Sequence, residues 1–353
     1  MHILLDDIPF NDSLFPFGTV RSVAHIRIGI LTIFEKWRFY FPGQVFIASE
    51  KLIQEPELGS CIKFPGNFVP SAKYLKTLSD QQQKIVFTPD CKILEHPWQI
   101  FEFNDWAIRQ DFQLMTAGRS SQKISPSNQA IGAENIFVED GAIISYSILN
   151  AEAGPIYIGK NAEIQEGSLL RGPISVGEGS RVKMGTKIYG ATTIGPHCLA
   201  GGEIKNSILM EYSNKGHDGY LGDSVLGAWC NLGAGTSNSN LKNNAGTVKI
   251  WSKKNNQFTA AGTKCGLLMG DYSRSAINTS FNTGTIVGTC CSIFGNSFPP
   301  KFIDDFSWGD EKYIIEKAIE DINNWKKLKG EEITDEEIRS LKNIYQQKNN
   351  YGS

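Results

Sequence analysis

A six-residue repeat is the feature of this chain that most restricts its fold. Every sixth residue between positions 158 and 200 is apolar: Ile158, Ile164, Leu170, Val176, Val182, Ile188, Ile194 and Ala200. Because 41% of the chain is hydrophobic, eight such positions in one frame have a chance probability of roughly one in a thousand. Neither an α-helix nor an alternating strand has this period, which is typical of the hexapeptide repeats of a parallel β-helix.

Small residues and glycines repeat in the same frame. Small residues stand two positions before six of the eight apolar residues: Ala162, Ser168, Ser180, Thr186, Thr192 and Cys198. Gly159, Gly177 and Gly195 follow apolar positions at intervals of 18 residues, which is three hexads. In a parallel β-helix, three short strands form each triangular coil and apolar side chains stack inside it. The repeat therefore predicts a solenoid, which resumes at 226–232 and again at 269–293.

The chain divides into a mixed fold with four predicted parts. Residues 1–118 form an α/β domain, and the polar, proline-containing segment 119–130 is a linker. The hexapeptide domain covers 131–298, and a helical cap or packing arm covers 299–353. Within that arm, the sequence 334–337 (TDEE) is a capping box that opens a helix. Further elements are predicted in the first domain: strands at Ile3–Leu5, Gln44–Ala48 and Ile85–Thr88, and helices at Val23–Trp37 and Pro97–Met115.

Composition and charge argue against several classes of protein. The net charge is −2 with no long basic run, which argues against nucleic-acid binding. The first residues lack the basic and apolar regions of a signal peptide, and no stretch approaches the roughly 20 apolar residues of a membrane span. A cytoplasmic protein without a membrane partner is therefore expected. The seven cysteines include no CxxC pair, so neither a disulfide framework nor a zinc site is predicted.

Two lysines form the first candidate site. Lys187 and Lys205 are 18 residues apart, so a constant hexad count would stack them on adjacent coils, about 4.8 Å apart at the backbone. Two ammonium groups held in this way repel each other unless an anion lies between them. The pair is consistent with a phosphate site and also with two lysines that extend separately into water.

A histidine and two asparagines form the second group of candidates. His217 lies in KGHDGY, a glycine-rich loop, and the pKa of imidazole suits a general base near neutral pH. Asn231 begins NLGAGT and Asn240 lies in NSNLKN. Asparagine amides donate to carbonyl oxygens and accept from amines or hydroxyls. The alternatives are an exposed loop histidine and two turn asparagines.

The order and spacing of these motifs resemble one known family. KGHDGYLGD, NLGAGT and NSNLKN, preceded by EIKNS, are similar to the acetyltransferase half of the bifunctional N-acetylglucosamine-1-phosphate uridyltransferase/glucosamine-1-phosphate acetyltransferase family. LFPFGTVRSVAHIRIGILTIFEKW, ILEHPWQIFEFNDWAIRQDF and FPPKFIDDFSWG resemble a shortened bacterial variety of it. The resemblance implies a truncated nucleotidyltransferase-like first domain. It also implies a left-handed β-helix, and a homotrimer with active sites between subunits.

The resemblance assigns roles to the residues that match the family motifs. His217 resembles the general base that takes a proton from the glucosamine amino group. Tyr220 and Lys205 match residues that bind the sugar phosphate, and Lys187 stands where the family has an arginine with that role. Phosphate binding by these lysines is thus implied independently of their spacing.

The same resemblance suggests where the acyl donor is bound. Asn231 and Asn240 resemble asparagines that contact the amino sugar and the acetyl donor. Acetyl-CoA would lie along the later coils, where small residues permit close approach: Gly270, Gly288 and Thr289. The reaction implied is direct attack of the amine on the thioester, without an acyl-enzyme and without a metal.

Several positions depart from the family pattern. A family tyrosine is Leu241 here, and a family lysine is replaced by Gly246, with Lys249 nearby. The glycine-rich phosphate loop of the uridyltransferase domain is replaced by DDIPFNDSLFPFGTVRS, in which Arg21 is the one basic residue. Asp6 and Asp7 in that segment are consistent with a metal site or, more simply, with a turn at the end of a strand.

The sequence therefore predicts an acetyl-CoA-dependent N-acetyltransferase. Its acceptor would be an amino-sugar phosphate like glucosamine 1-phosphate, on the route to UDP-N-acetylglucosamine. One alternative is a sugar-1-phosphate nucleotidyltransferase that transfers uridylyl or thymidylyl groups and needs Mg²⁺. The other is a trimer that binds sugar nucleotides without catalysis.

Overall fold

The protein consists of an N-terminal α/β region, a parallel β-solenoid of the left-handed β-helix type and two C-terminal helices. The computed structural model describes residues 2–50, 61–81 and 90–350. This arrangement confirms the fold class that the sequence predicts. None of the helices within those ranges has the length and apolar character needed to cross a bilayer.

The N-terminal region is built on a small parallel sheet. Its strands, in spatial order, are Val45–Ile47, His2–Asp6 and Cys61–Pro65. An antiparallel pair joins Phe68–Val69 to Lys92–Ile93. The helices of this region are Ile33–Tyr40, Ala72–Gln81, Gln99–Glu102 and Asn104–Thr116, with 3₁₀ turns at Ile8–Phe10 and Val23–His25.

The predicted helix from Val23 to Trp37 is wrong in its first half. The α-helix begins only at Ile33, because Thr32 and Glu35 form a capping box. The Glu35 amide donates to Thr32 Oγ1 at 3.1 Å, and the Thr32 amide donates to the Glu35 carboxylate at 2.7 Å. The strand predicted at Ile85–Thr88 lies outside the described residues.

Three sheets form the sides of the solenoid. The first sheet has nine parallel strands in the described residues: Ile136–Val138, Ile156–Ile158, Ile174–Val176, Thr192–Ile194, Ile208–Leu209, Val225–Leu226, Leu267–Met269, Thr285–Val287 and Phe302–Ile303. The second sheet, whose last strand is antiparallel, contains Ile143–Ile144, Glu163–Ile164, Arg181–Val182, Leu199–Ala200, Asn214–Lys215, Asn231–Leu232, Arg274–Ser275, Ser292–Ile293, Ser307–Trp308 and Glu311–Lys312.

The third sheet carries the candidate site. Its strands are Gln129–Ile131, Ile148–Asn150, Leu169–Arg171, Lys187–Tyr189, Glu203–Lys205 and Tyr220–Gly222. The pair Ser237–Asn238 and Ser280–Phe281 continues this side, and a hairpin of Lys249–Ser252 and Gln257–Ala260 leaves the solenoid between them. Strands of the solenoid thus occur both before residue 131 and after residue 298, the bounds expected from the sequence.

The hexad pattern is confirmed by burial. All eight apolar positions from Ile158 to Ala200 are at most 1% exposed, and so are the six small residues that precede them by two positions. The later repeat positions from Met269 to Ile293 are also buried. Each coil therefore covers the apolar side chains of the coil before it, which removes them from water.

The C-terminal helices cover one corner of the solenoid. They span Ile315–Lys327 and Asp335–Asn350 and pack on Tyr272 and Phe306 at the turns between the first and second sheets. The predicted capping box is present, since the Glu337 amide donates to Thr334 Oγ1 at 3.2 Å and the Thr334 amide donates to the Glu337 carboxylate at 2.8 Å.

The N-terminal region packs against the outer side of the first sheet of the solenoid, and the two share one apolar core.

A buried ionic group also joins the N-terminal region to the solenoid. Arg21 Nε donates to Asp271 at 2.8 Å, and its Nη1 donates to Glu211. Although burial alone would raise it, the charges of Arg21 and Arg27 lower the pKa of Glu211 to about 2. Arg21 therefore connects the N-terminal region to the solenoid.

Replacing Arg21 should destabilise the protein strongly. Arg21→Met leaves the buried carboxylate of Asp271 without its counter-ion, so we expect the free energy of unfolding to fall by about 3–5 kcal/mol. Arg181→Met is the control, because it removes an exposed ion pair with Glu163 and should cost less than about 1 kcal/mol. Urea denaturation measures both, and equal losses would contradict a special role for Arg21.

One lysine occupies the apolar interior of the solenoid. Lys215 pairs with Ala200 in the second sheet, at an inward position, and is 1% exposed. Its Nζ donates to the carbonyl of Gly201 at 3.1 Å and to the carbonyl of His217. Burial lowers the pKa of Lys215 to about 8, although the charge of Asp218 acts in the opposite direction. The buried amine thus fixes the loop that contains His217 from inside.

The buried amine should make stability depend on pH. Between about pH 8 and pH 10.5 the unfolded chain binds a proton at Lys215 that the folded chain has lost, so the free energy of unfolding rises with pH. The free energy of unfolding of the wild type minus that of Lys215→Met should therefore increase from pH 8 to pH 10.5, by at most about 3 kcal/mol. Exposed Lys160→Met is the control. If this difference in the free energy of unfolding did not change with pH, the lowered pKa of Lys215 would be contradicted.

Candidate active site on the third sheet

Polar side chains lie in two rows on the outer surface of the last three strands of the third sheet. The register places Lys187 opposite Glu203, and Glu203 opposite Tyr220. The second row places Tyr189 opposite Lys205. The middle residue of each strand, Ile188, Ile204 or Leu221, points into the solenoid. Because successive side chains in a strand alternate, the residues on either side of it lie on the outer surface.

The predicted stacking of Lys187 on Lys205 is wrong. The coil between Ile188 and Ile204 has 16 residues rather than 18, so the strand register shifts by two. Lys205 therefore follows inward Ile204 instead of preceding an inward residue, and Asn206 occupies the corner with φ of 47°. The two lysines still lie on adjacent strands of one surface, in a diagonal arrangement. Within the described part of the chain, neither ammonium group has a hydrogen bond or ion pair.

Tyr220 and Asn240 meet in a polar cluster. Asn240 Nδ2 donates to the Tyr220 hydroxyl at 3.2 Å and also to the buried carboxylate of Asp223. Asn206 Nδ2 donates to the other Asp223 oxygen at 2.7 Å. Burial, followed by the charge of Asp223, raises the pKa of Tyr220. The Tyr220 hydroxyl is therefore protonated near neutral pH, and it can donate its hydrogen to a ligand.

Sequence reasoning missed two acidic residues of this site. Glu203 accepts a hydrogen bond from the Tyr189 hydroxyl at 2.6 Å and lies opposite Lys187. Asp223 has a left-handed φ of 46° and accepts hydrogen bonds from the side chains of Asn206 and Asn240. Glu203 could have been found from its place two residues before Lys205 on the same strand. No local sequence pattern predicts that Asp223 is buried.

The loop of His217 crosses the corner between the second and third sheets. Gly201 and Gly202 lie directly below it, and a Cβ on Gly202 would lie 2.7 Å from the His217 carbonyl oxygen. Lys215 holds the same carbonyl from inside, and the Glu203 amide donates to Gly219 at 3.1 Å. The His217 imidazole itself is exposed and makes no hydrogen bond to any residue that the structure describes. A rigid backbone thus presents a free imidazole at the edge of the third sheet.

Asn231 lies apart from these residues. It belongs to the second sheet, where it pairs with Asn214 and Arg274, and its Oδ1 accepts a hydrogen bond from Asn214 Nδ2 at 3.4 Å. Asn240 lies beyond the strand Ser237–Asn238 on the third side of the solenoid. The two asparagines of the predicted site are therefore on different sides of one chain.

The expected CoA groove along Gly270, Gly288 and Thr289 requires a correction. All three residues are buried. A Cβ on Gly270 would lie 2.9 Å from Pro16 of the N-terminal region, and Thr289 donates its amide to Asp305 at 2.7 Å. These small residues permit close packing inside the protein, so they offer no open surface to a cofactor.

The loop that follows the first strand lines a cavity of about 750 Å³ between the N-terminal region and the solenoid. The charged groups of this loop already have partners. Arg21 binds the solenoid carboxylates, and Asp12, which lines the cavity, forms an ion pair with Lys253 at 3.1 Å. The buried Asp7 accepts hydrogen bonds from the Ser49 amide at 3.0 Å and hydroxyl at 2.5 Å. Across the described ranges, no group of three or more His, Cys, Asp or Glu residues is arranged to hold a metal ion. Both Asp7 oxygens are engaged by Ser49, as expected of a turn residue at the end of a strand, so Asp7 is not free to bind Mg²⁺.

Comparison with known proteins finds similarity to sugar nucleotidyl transferases and to bifunctional enzymes of the nucleotidylyltransferase/acetyltransferase type. Residues 2–66 and 67–120 match the family described as sugar nucleotidyl transferase. A bifunctional sugar-1-phosphate nucleotidylyltransferase/acetyltransferase of Sulfurisphaera tokodaii is 30% identical over 201 residues, which cover 56% of this chain and 43% of that protein. The bifunctional protein GlmU of Methanocaldococcus jannaschii is 36% identical over 91 residues, which cover 26% of this chain and 22% of that protein.

A solved structure of a hexapeptide transferase family protein from Anaplasma phagocytophilum is also similar, at 17% identity. The match covers 64% of this chain and 92% of that chain, with a TM-score of 0.20. The chain spans less than half the length of the curated relatives it matches. Over the matched part, the comparisons confirm that this chain resembles the bifunctional sugar-1-phosphate nucleotidylyltransferase/acetyltransferases, and that residues 2–120 resemble sugar nucleotidyl transferases.

Proposed function

We propose that the third sheet carries the active site of an acetyl-CoA-dependent N-acetyltransferase. The acceptor is an amino-sugar phosphate like glucosamine 1-phosphate, and the product leads to UDP-N-acetylglucosamine. The observation that carries this proposal is the free His217 imidazole, held on a rigid loop beside the cluster of Tyr220 and Asn240. The similarity to bifunctional nucleotidylyltransferase/acetyltransferases supports a transferase.

The proposed reaction is direct attack of the sugar amine on the thioester. The amine nitrogen of the sugar bonds to the acetyl carbon while His217 takes a proton from that nitrogen. The carbon–sulfur bond then breaks, and the CoA sulfur leaves and is protonated. Lys187 and Lys205 have ammonium groups free to bind the sugar phosphate, and Tyr220 has a hydroxyl hydrogen to donate to it. Asn240, fixed by Asp223, orients the reacting groups.

An exposed apolar edge supports a homotrimer. His217 lies on the corner between the second and third sheets, and large apolar side chains project from the same corner on other coils. Tyr146 and Met184 are each 70% exposed and Ile277 is 69% exposed. These three side chains stand on separate coils, and burial against a neighbouring copy would remove them from water. In the proposed trimer a neighbouring copy covers this edge, and Asn231 of one copy can approach the site of the next.

Removing the imidazole should abolish most activity without unfolding the protein. We expect His217→Ala to reduce thiol release from acetyl-CoA with glucosamine 1-phosphate by roughly 10²–10⁴-fold, because the proton acceptor is lost. His197→Asn is the control, since His197 is exposed at another corner with a left-handed φ of 57° that asparagine tolerates. Thiol release within a few-fold of wild type in His217→Ala would exclude His217 as the base.

Nucleotidyl transfer is the second candidate, because residues 2–120 match the sugar nucleotidyl transferase family. It predicts Mg²⁺-dependent release of pyrophosphate from UTP or dTTP with a sugar 1-phosphate. This activity should be unchanged in His217→Ala, since His217 lies on the solenoid. Binding of sugar nucleotides with neither thiol nor pyrophosphate release would instead support a non-catalytic binding protein.

A further inference from the structure

A basic pocket, separate from the surface of Lys187 and Lys205, lies beyond Asn240 on the third side of the solenoid. Its volume is about 430 Å³, and Lys242 and Lys301 contribute the two charged groups of its wall. The remaining lining residues are amides, hydroxyls and Leu241, and no carboxylate is among them. Lys242 comes from the excursion after Asn240, whereas Lys301 comes from the segment that enters the strand Phe302–Ile303. Two distant parts of the sequence thus bring like charges to one concave surface.

The two ammonium groups are poorly compensated. Within the described residues the Lys301 ammonium makes no hydrogen bond or ion pair, and the Lys242 ammonium donates to the carbonyl of Thr247. Burial, and then the charge of Lys242, lowers the pKa of Lys301. Two like charges in a cavity repel each other unless an anion lies between them. The pocket is therefore suited to a ligand with at least one full negative charge.

The position of the pocket relates it to the proposed reaction. Adjacent coils are about 4.8 Å apart, so Lys205 lies about 10 Å along the axis from the strand Ser237–Asn238, two coils further on. Tyr220 and Asn240 lie between Lys205 and this pocket. Transfer from a CoA thioester to a sugar phosphate brings together two substrates that both carry phosphoryl groups. Two separate cationic sites on either side of the reacting groups satisfy that requirement.

We propose that Lys242 and Lys301, with Asn244 and Asn282 as amide donors, form a phosphoryl-binding subsite separate from Lys187 and Lys205. The phosphoryl group comes either from the diphosphate of the acyl donor or from the sugar phosphate. This assignment of a substrate to the subsite rests on the proposed acetyl transfer, whereas binding of the anion does not.

The subsite is tested by calorimetric titration with inorganic pyrophosphate, without turnover. The background is the Lys187→Gln/Lys205→Gln double variant, which removes the other cationic site. We expect Lys242→Gln and Lys301→Gln, added singly, each to weaken pyrophosphate binding about tenfold or more, whereas Lys160→Gln, an exposed lysine elsewhere on the solenoid, leaves it unchanged. Absence of binding in the background, or equal binding by all variants, would overturn the proposal.

Steady-state kinetics in the wild-type background identifies the source of the phosphoryl group. A KM raised for acetyl-CoA alone in Lys301→Gln assigns the subsite to the acyl donor, and a KM raised for the sugar phosphate alone assigns it to the acceptor. The two proposals can fail separately. If neither the wild type nor any variant releases thiol, the acetyl-transfer proposal fails. The subsite stands in that case if pyrophosphate binding still depends on Lys242 and Lys301. Circular dichroism verifies that each variant is folded.

Discussion

The structure depends on the burial of one coil by the next. A coil has too few residues to enclose its own apolar side chains, so each inward residue is covered by the inward residues of neighbouring coils, and the parallel ladders keep them aligned. This constraint explains why the hexad is strict where coils are regular. It also explains why outward positions are free to carry polar residues, which is where the candidate site lies. A charged exception is Lys215, an inward lysine whose amine reaches backbone carbonyls at the corner of the His217 loop.

Local changes in coil length shape the candidate site. Two residues are missing between Ile188 and Ile204, compared with a full coil of 18, and this shift places Glu203 rather than Lys205 opposite Lys187. Glu203 therefore lies between Lys187 and Tyr220 in its row, and the two lysines are not stacked in one column. Its carboxylate limits repulsion between the lysines and adds a hydrogen-bond acceptor to this surface.

The N-terminal region and the C-terminal helices determine which surfaces stay accessible. The N-terminal region covers the first sheet and buries Gly270, and the helices cover the corner at Tyr272 and Phe306. Arg21 contributes its charge to the contact with the solenoid, which removes it from the cavity that the same loop lines. The third sheet, with both proposed phosphoryl sites, is the side that neither the described N-terminal residues nor the C-terminal helices cover.

The sequence by itself determined the solenoid, its inward residues, the capping box at Thr334 and the candidates that follow motif order, such as His217 and Tyr220. These features depend on short-range periodicity, which one chain displays directly. Only the tertiary structure decided the register of Lys187 and Lys205, the burial of Asp223, the separation of Asn231 from Asn240 and the covering of Gly270. Each of these depends on coil lengths and on contacts between residues far apart in the chain. A hexad count cannot supply them, because a shift of two residues changes every cross-strand neighbour while leaving the inward pattern intact.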